Sequence, residues 1–284
     1  MKFSVIIPTF NRADVLRRTL NLLAVQTLSD FEVVIVDDGS EDETLRLLTE
    51  FQRKGVLDLK FFTQKNAGAG AARNTAIPHT RGDILLFLGD DMLPQPTLLA
   101  THWNFHEKNP AENFACLGKV EWHSELCVSR FMRWLQRSGV QFKFHDLHEG
   151  GLVDFRRFYT ANISLKKSFL GSFRFDSDFR GWGFEDAELG LRLEEKGLKI
   201  IFQPNALVQH FHEISSESLE SRQFEAGKNA VLFARKHPNK SILPSGIKLL
   251  LQKVIIGILP FTFYAQAKKA FLRGIAIGKL EQLK

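Results

Sequence analysis

The sequence predicts an α/β fold, a Rossmann-like and mainly parallel sheet with helices on both faces, followed by a helical C-terminal appendage. Three observations carry this. Apolar runs rich in Val, Ile and Phe alternate with stretches of helical periodicity, each early run ends in turn chemistry, and the last part of the chain is apolar and basic. Strand, helix, strand, helix is the pattern of a twisted sheet covered on both sides. At 284 residues, with 44% hydrophobic and 25% charged content, the chain is long enough to bury a large core.

Residues 3–7 (FSVII) and 31–36 (FEVVIV) are strand-like and run into PTFN and DDGS. Between them, Val15, Leu16, Leu20 and Leu23 recur near helical spacing, with Arg17 and Arg18 on another face. A second helix around 42–53 leads to strands at 57–62 and 83–88. In such sheets ligands sit beyond the carboxyl ends of the strands, so PTFN, VDDGS and LGDD are expected to face one crevice. A small-residue loop, NAGAGAARN (66–74), then places Arg73 and Asn74 on a short helix. It is not a GxGxxG after the first strand, so dinucleotide binding is poorly supported.

The chemistry concentrates at Asp90 and Asp91, two adjacent carboxylates ending a buried strand. A divalent cation such as Mg²⁺ or Mn²⁺ is commonly shared between one or two carboxylates and substrate phosphates. The plainer reading makes Asp91 a cap for the helix expected in 94–105, and likewise lets DDGS cap the helix after Asp38. Further along, residues 181–197 (GWGFEDAELGLRLEEKG) open on glycine and tryptophan and become an amphipathic helix with Leu189 and Leu193 on one face and Gly197 as its stop. Glu185 and Asp186 fall at its N-terminus, where the dipole favours the ionised form of a carboxylate. His210 and His212 follow a strand at 198–208, and alternate residues of an extended segment share a face.

Charge is segregated. Residues 228–284 hold eleven Lys and Arg against Glu281, a net of +10, while the whole chain carries +6, leaving a body of −4. Without aromatic-basic interleaving this disfavours a nucleic-acid binder. The tail from 243 is apolar, but its uncharged run is far shorter than the ~20 residues a spanning helix needs. Pro260 is expected to break or kink it. Lysines beside an apolar face fit a helix lying on an anionic membrane, and two helices packed on the body or on a second copy (a homodimer) fit almost as well. Residues 121–154, with four Lys or Arg, three His and two Trp, read as an acceptor-side insertion or lid. Two scattered cysteines and no cleavable leader pattern suit a reducing cytoplasm, with peripheral contact on the inner face of the plasma membrane as an option.

Together VIIPTFNR, VVIVDDGS, the GDD pair, NISLKKSFL (162–170), RGWGFEDAELGLRL (180–193) and VQHFH (208–212) resemble the GT-A glycosyltransferases of family two, over roughly residues 1–212. The resemblance implies a nucleotide-sugar donor, with UDP the leading nucleotide, and an inverting transfer to a glycan or lipid-linked glycan. By matched position Pro8, Thr9, Phe10, Asn11 and Arg12, with Asp38, lie on the nucleoside side. Arg73 meets the diphosphate, Asp90 the ribose or sugar, and Asp91 the Mn²⁺ or Mg²⁺. His210 is a further metal or diphosphate ligand, with His212 in reserve. Trp182 and Glu185 are expected on the acceptor, and Asp186 is the matching position for the general base. GDD lacks the residue that many members have between the two acids. The domain reading is a catalytic unit over 1–225, split into donor (1–110) and acceptor (111–225) halves, and a tail over 226–284.

A non-catalytic glycan- or nucleotide-binding protein on the same scaffold is the alternative. A nucleotidyltransferase would want a glycine- and lysine-rich triphosphate loop after the first strand, and PTFNR is not one.

Overall fold

The computed structural model describes residues 1–138, 140–240, 242–259 and 261–281. Pro260 lies outside the described residues. The first half is β1 (Phe3–Thr9), α1 (Ala13–Leu23), β2 (Phe31–Asp37), α2 (Thr44–Lys54), β3 (Leu59–Thr63), α3 (Ala69–Ala76), β4 (Ile84–Leu88), β5 (Met92–Pro94) and α4 (Leu98–Lys108). The second half is β6 (Phe114–Trp122), α5 (Arg130–Ser138), β7 (Leu152–Val153), β8 (Asn162–Lys166), α6 (Lys167–Leu170), α7 (Glu185–Glu195) and β9 (Lys199–His210). Three helices follow: α8 (Ser216–Lys236), α9 (Gly246–Ile258) and α10 (Phe263–Glu281).

One sheet runs in the order β3-β2-β1-β4-β8-β6-β9-β5, with β7 paired to β9. The β3-β2-β1-β4 portion is parallel, and beyond β4 the sheet is mixed because β8 returns antiparallel to both β4 and β6. Alternation along the strands explains the two-sided core. Phe3, Val5, Ile7, Val33 and Ile35 pack with Leu16, Leu20, Leu47 and Leu48 of α1 and α2. Ile6, Val34 and Val36 face the other way, onto Ala72 and Ala76 of α3 and Leu189 and Leu193 of α7. Strands buried on both faces are nearly continuous apolar runs. Among the buried exceptions, Ser4 of β1 and Glu32 of β2 pair with each other, Ser4 Oγ donating to Glu32 Oε1 at 2.7 Å.

The register jumps between Gly118 and Lys119, where β6 pairs with Gln203 and then Leu207. Pro204 sits in the skipped stretch, as a residue without a backbone donor should. A Cβ on Gly118 would lie 2.1 Å from Asn162 Nδ2, so this crossing of three strands requires glycine.

The expected elements 13–26, 42–53, 57–62 and 83–88 appear as α1, α2, β3 and β4, with ends displaced by one to three residues. α8 runs continuously past residue 225. α10 packs along α8 at very short range: a Cβ on Gly227 would lie 2.1 Å from Phe271 O, and one on Gly274 2.0 Å from Phe224 O. Among the described residues no helix is long and apolar enough to cross a membrane.

Candidate active site

The GDD turn is built by strand pairing. β4 is fully buried and ends at Leu88; β5 starts at Met92 and pairs antiparallel with β9, Met92 opposite His210. Phe211 N donates to Asp91 O at 2.8 Å, locking the end of β9 to the turn. Asp91 therefore meets the histidine 119 residues away: His210 Nε2 is 3.2 Å from Asp91 Oδ2. The capping reading fails here, because α4 starts only at Leu98, behind β5, with Thr97 at its N-cap position. His212 does not take the same place. Its Nε2 lies 3.3 Å from Arg222 Nη2, and burial followed by the nearby Arg12 charge lowers its pKa to about 4.

Arg12 precedes α1 and donates from Nη1 to Asp91 Oδ2 at 2.5 Å, with Asp90 Oδ1 3.8 Å away. Burial alone would push Asp91 up; the His210 and Arg12 contacts outweigh it and hold this carboxyl well below the usual range. Asp90 goes the other way. Burial and the Asp91 charge raise it to about 7, against the hydrogen bond that Thr9 Oγ1 donates at 2.9 Å. Of the two neighbours, Asp91 is the more readily ionised.

Asp91 Oδ2 and His210 Nε2 are spaced like neighbouring ligands of one cation with bonds of about 2.1 Å. Among the described residues no three His, Cys, Asp or Glu side chains cluster to hold a metal. The donor set fits a cation that takes its remaining ligands from a diphosphate, once Arg12 yields its lone pair on Asp91.

The ED end is built differently. α7 packs on residues 155–158 so closely that a Cβ on Gly190 would lie 2.6 Å from Phe158 Cβ. That approach sets Thr160 against Asp186: Thr160 N donates to Oδ2 at 2.9 Å, and Thr160 Oγ1 lies 2.7 Å from Oδ1 and 2.8 Å from Oδ2. The turn before α7 takes left-handed conformations at Gly181 (φ 75), Gly183 (φ 96) and Phe184 (φ 75). Asn229 of α8 holds it, donating through Nδ2 to Arg180 O at 3.0 Å and Gly183 O at 2.9 Å. The helix-dipole expectation needs correcting at Glu185. Burial first, then the Asp186 charge, raises its pKa to about 7, because a terminal dipole cannot replace the lost solvation. Glu185 Oε2 and Arg73 Nε are enclosed and have no hydrogen-bond partner among the described residues.

Arg73, Asp91, Trp182, Glu185 and Asp186 share the wall of one cavity of about 480 Å³. Gln223 and Ala226 of α8 and Phe271 of α10 complete it. Asp38 does not line this cavity. It is buried, and its carboxylate accepts from Ala67 N (2.9 Å), Gly68 N (2.8 Å) and Gln64 Nε2 (2.7 Å), so it pins the small-residue loop ahead of α3 rather than capping α2. Pro8 is buried in β1 and Phe10 is exposed. Asn11 is left-handed (φ 53); its N–H donates to Ser40 Oγ and its Oδ1 accepts from Glu41 N, both at 2.8 Å, joining PTFN to DDGS. His210 lines a neighbouring hollow of about 300 Å³, stacked on Trp122 at 5.0 Å between ring centroids. Of residues 121–154, Gln141 and Phe142 line both spaces.

Thr160, Asn229 and Gln223 were not anticipated. A lone Thr before a strand, and an Asn or Gln within a helix, carry no local signal of a distant partner. The Arg12–Asp91 pairing was equally hidden, although both residues were candidates.

The family model for glycosyl transferase family 2 matches residues 4–141. A validoxylamine A glucosyltransferase of Streptomyces hygroscopicus subsp. jinggangensis is 32% identical over 89% of this chain and 65% of its own length. A chondroitin synthase of Pasteurella multocida is 29% identical over 81% of the chain and 26% of its own length. The chain thus spans less than two thirds of the curated relatives it matches. Among solved structures, the Pyrobaculum calidifontis mannosyltransferase PcManGT in complex with GDP-Man and Mn²⁺ superposes with a TM-score of 0.61 at 19% identity, covering 100% of this chain and 81% of that one. S. aureus TarS 1-349 in complex with UDP gives 0.58 at 20% identity, covering 91% and 71%.

Proposed function

The chain belongs to glycosyl transferase family 2 and has the GT-A fold, and on that premise we propose that it transfers a sugar with inversion from a nucleotide-sugar donor to a hydroxyl of a glycan or lipid-linked glycan. The observation that supports this best is the single cavity walled by Arg73, Asp91, Trp182, Glu185 and Asp186. It sets a guanidinium, three acids and an aromatic ring around a space large enough for a sugar.

Asp186 is the general base. Thr160 holds both of its oxygens, Oδ2 through its backbone N–H and Oδ1 through its hydroxyl, which fixes the orientation of the carboxylate in the cavity. The acceptor hydroxyl gives its proton to Asp186 and its oxygen attacks the anomeric carbon. The bond from that carbon to the diphosphate oxygen breaks on the opposite face, and the nucleoside diphosphate leaves with the bonding pair. Trp182 stacks the acceptor sugar, and the unpaired Oε2 of Glu185 takes one of its hydroxyls. Arg73 attends the diphosphate. Asp91 and His210 would hold Mn²⁺ or Mg²⁺, whose chemistry is to neutralise charge on the departing diphosphate. Pro8, Thr9, Phe10, Asn11, Arg12, Asp38 and Asp90 form the donor side, the last anchored by Thr9. The donor half is residues 1–110, the acceptor half 111–225 and the appendage 226–284, and we place the protein in the cytoplasm.

Hydrolysis of a panel of UDP-, dTDP- and GDP-sugars with and without Mn²⁺ tests the reading. Metal-dependent release of a nucleoside diphosphate from one donor is expected. Saturable donor binding with no release from any donor would instead mark a binding protein on this scaffold.

A further inference from the structure

The two tail helices solve the burial problem in opposite ways. α10 buries Ala267, Ala270, Gly274 and Ile275 against the body. α9 does not. Ile247, Leu250, Leu251, Val254 and Ile258 recur at the spacing of one helical stripe, and all are exposed, Ile247 at 78% and Ile258 at 71%. Among the described residues of α9, Gln252, on the opposite side, is the one that is buried, so the apolar stripe faces away from the protein. Phe261, in the turn to α10, is 90% exposed and continues it. At the same junction an almost wholly apolar hollow of about 570 Å³ lies between Trp134 of α5 and Ile255, Leu259, Phe263 and Tyr264.

Charge selects what covers this face. Residues 228–284 carry a net +10, whereas the remainder carries −4. A second copy applying the same stripe would bring two strongly basic tails together. A bilayer with anionic headgroups offers hydrocarbon for the stripe and opposite charge for the lysines, including the exposed Lys253 beside it. We infer that α9 and the turn after it lie in the headgroup region of an anionic membrane, with the stripe facing the acyl chains and α10 fastening it to the body. Phe271 of α10 also walls the Asp186 cavity, so the same tail would bring that cavity to the membrane surface. Only this last consequence, a lipid-borne acceptor, rests on the transferase reading.

Flotation of the full chain with phosphatidylcholine vesicles, with or without phosphatidylglycerol, is the test. Binding is expected only with the anionic lipid, falling as salt screens the lysines. The variant Leu250→Glu/Leu251→Glu/Ile258→Glu should lose at least about tenfold in binding while keeping the parental Tm, because its sites are exposed. Lys253→Glu should lose less. Negligible flotation with both vesicle types would overturn the inference. So would a triple variant that binds vesicles like the parent, or one that unfolds, which would show the stripe packed inside the protein. If the parent is a dimer by light scattering that the triple variant splits, and neither floats, a second copy covers the stripe and the membrane inference falls. Flotation needs no turnover, so it fails or succeeds independently of donor hydrolysis.

Discussion

Asp90–Asp91 and Glu185–Asp186 are two adjacent carboxylate pairs, each with one member pushed to about 7 by burial and its neighbour's charge. Their working members differ in company. Asp91 is met by a guanidinium and an imidazole, whereas Asp186 is met by an amide and a hydroxyl of Thr160. A charged partner stabilises an anion as an anion, which suits a group that waits for a cation. Neutral donors fix a carboxylate's orientation without placing a full positive charge on it. The two pairs therefore suit different tasks, although four carboxylates look alike in a sequence.

The largest expected effect breaks the comparison at the base. Asp186→Asn should lower kcat by ~10²–10⁴ while donor affinity, read by thermal shift, stays nearly parental. Equal loss of donor binding would move Asp186 to the donor side. Asp91→Asn should do the reverse, weakening Mn²⁺-dependent donor binding by at least the roughly 10–100-fold that loss of a supporting partner costs a metal site. A titration in which Mn²⁺ still improves donor binding of that variant as in the parent would remove Asp91 from the cation.

Thr160→Val sharpens the contrast more gently. It deletes the hydroxyl and keeps the amide, so one hydrogen bond to a charged group is lost, about 1.5–3 kcal/mol, or roughly tenfold or more in kcat. Its donor affinity should not change. The smallest effect concerns Glu185. Its folded pKa of about 7 lies above the ordinary carboxylate value of about 4.3, so the folded chain holds a proton through that window that the unfolded chain has released. Stability from this group thus falls as pH rises from about 4 to 7 and stays low above it. Glu185→Gln should then raise Tm at pH 8 and leave it unchanged at pH 4. A variant less stable at pH 8 would mean that the ionised form has a partner in the fold.

Much of this was legible. The apolar runs became β1, β2 and β4 because strands buried on both faces are nearly continuous in apolar residues, and Gly197 does end α7, with φ 96. Asp38 shows where reading stopped: its place after β2 was clear, but its bonds to Ala67 and Gly68 depend on a loop some thirty residues away. The same holds for Glu185, whose helix position suggested an easily ionised group until its enclosure was known.

By itself the sequence determined the order of β1 to β4 with α1 and α2, the helix that opens at the second acidic pair, the positions of both acidic pairs and the basic, apolar character of the tail, since these follow from local periodicity and composition. The tertiary structure alone decided that His210 and Arg12 meet Asp91, that Thr160 meets Asp186, and that α10 buries its small-residue face while α9 leaves its apolar stripe exposed. Those outcomes depend on strand register, on helix crossings as close as Gly227 on Gly274, and on which groups lose water, and none of these is a property of neighbouring residues in the chain.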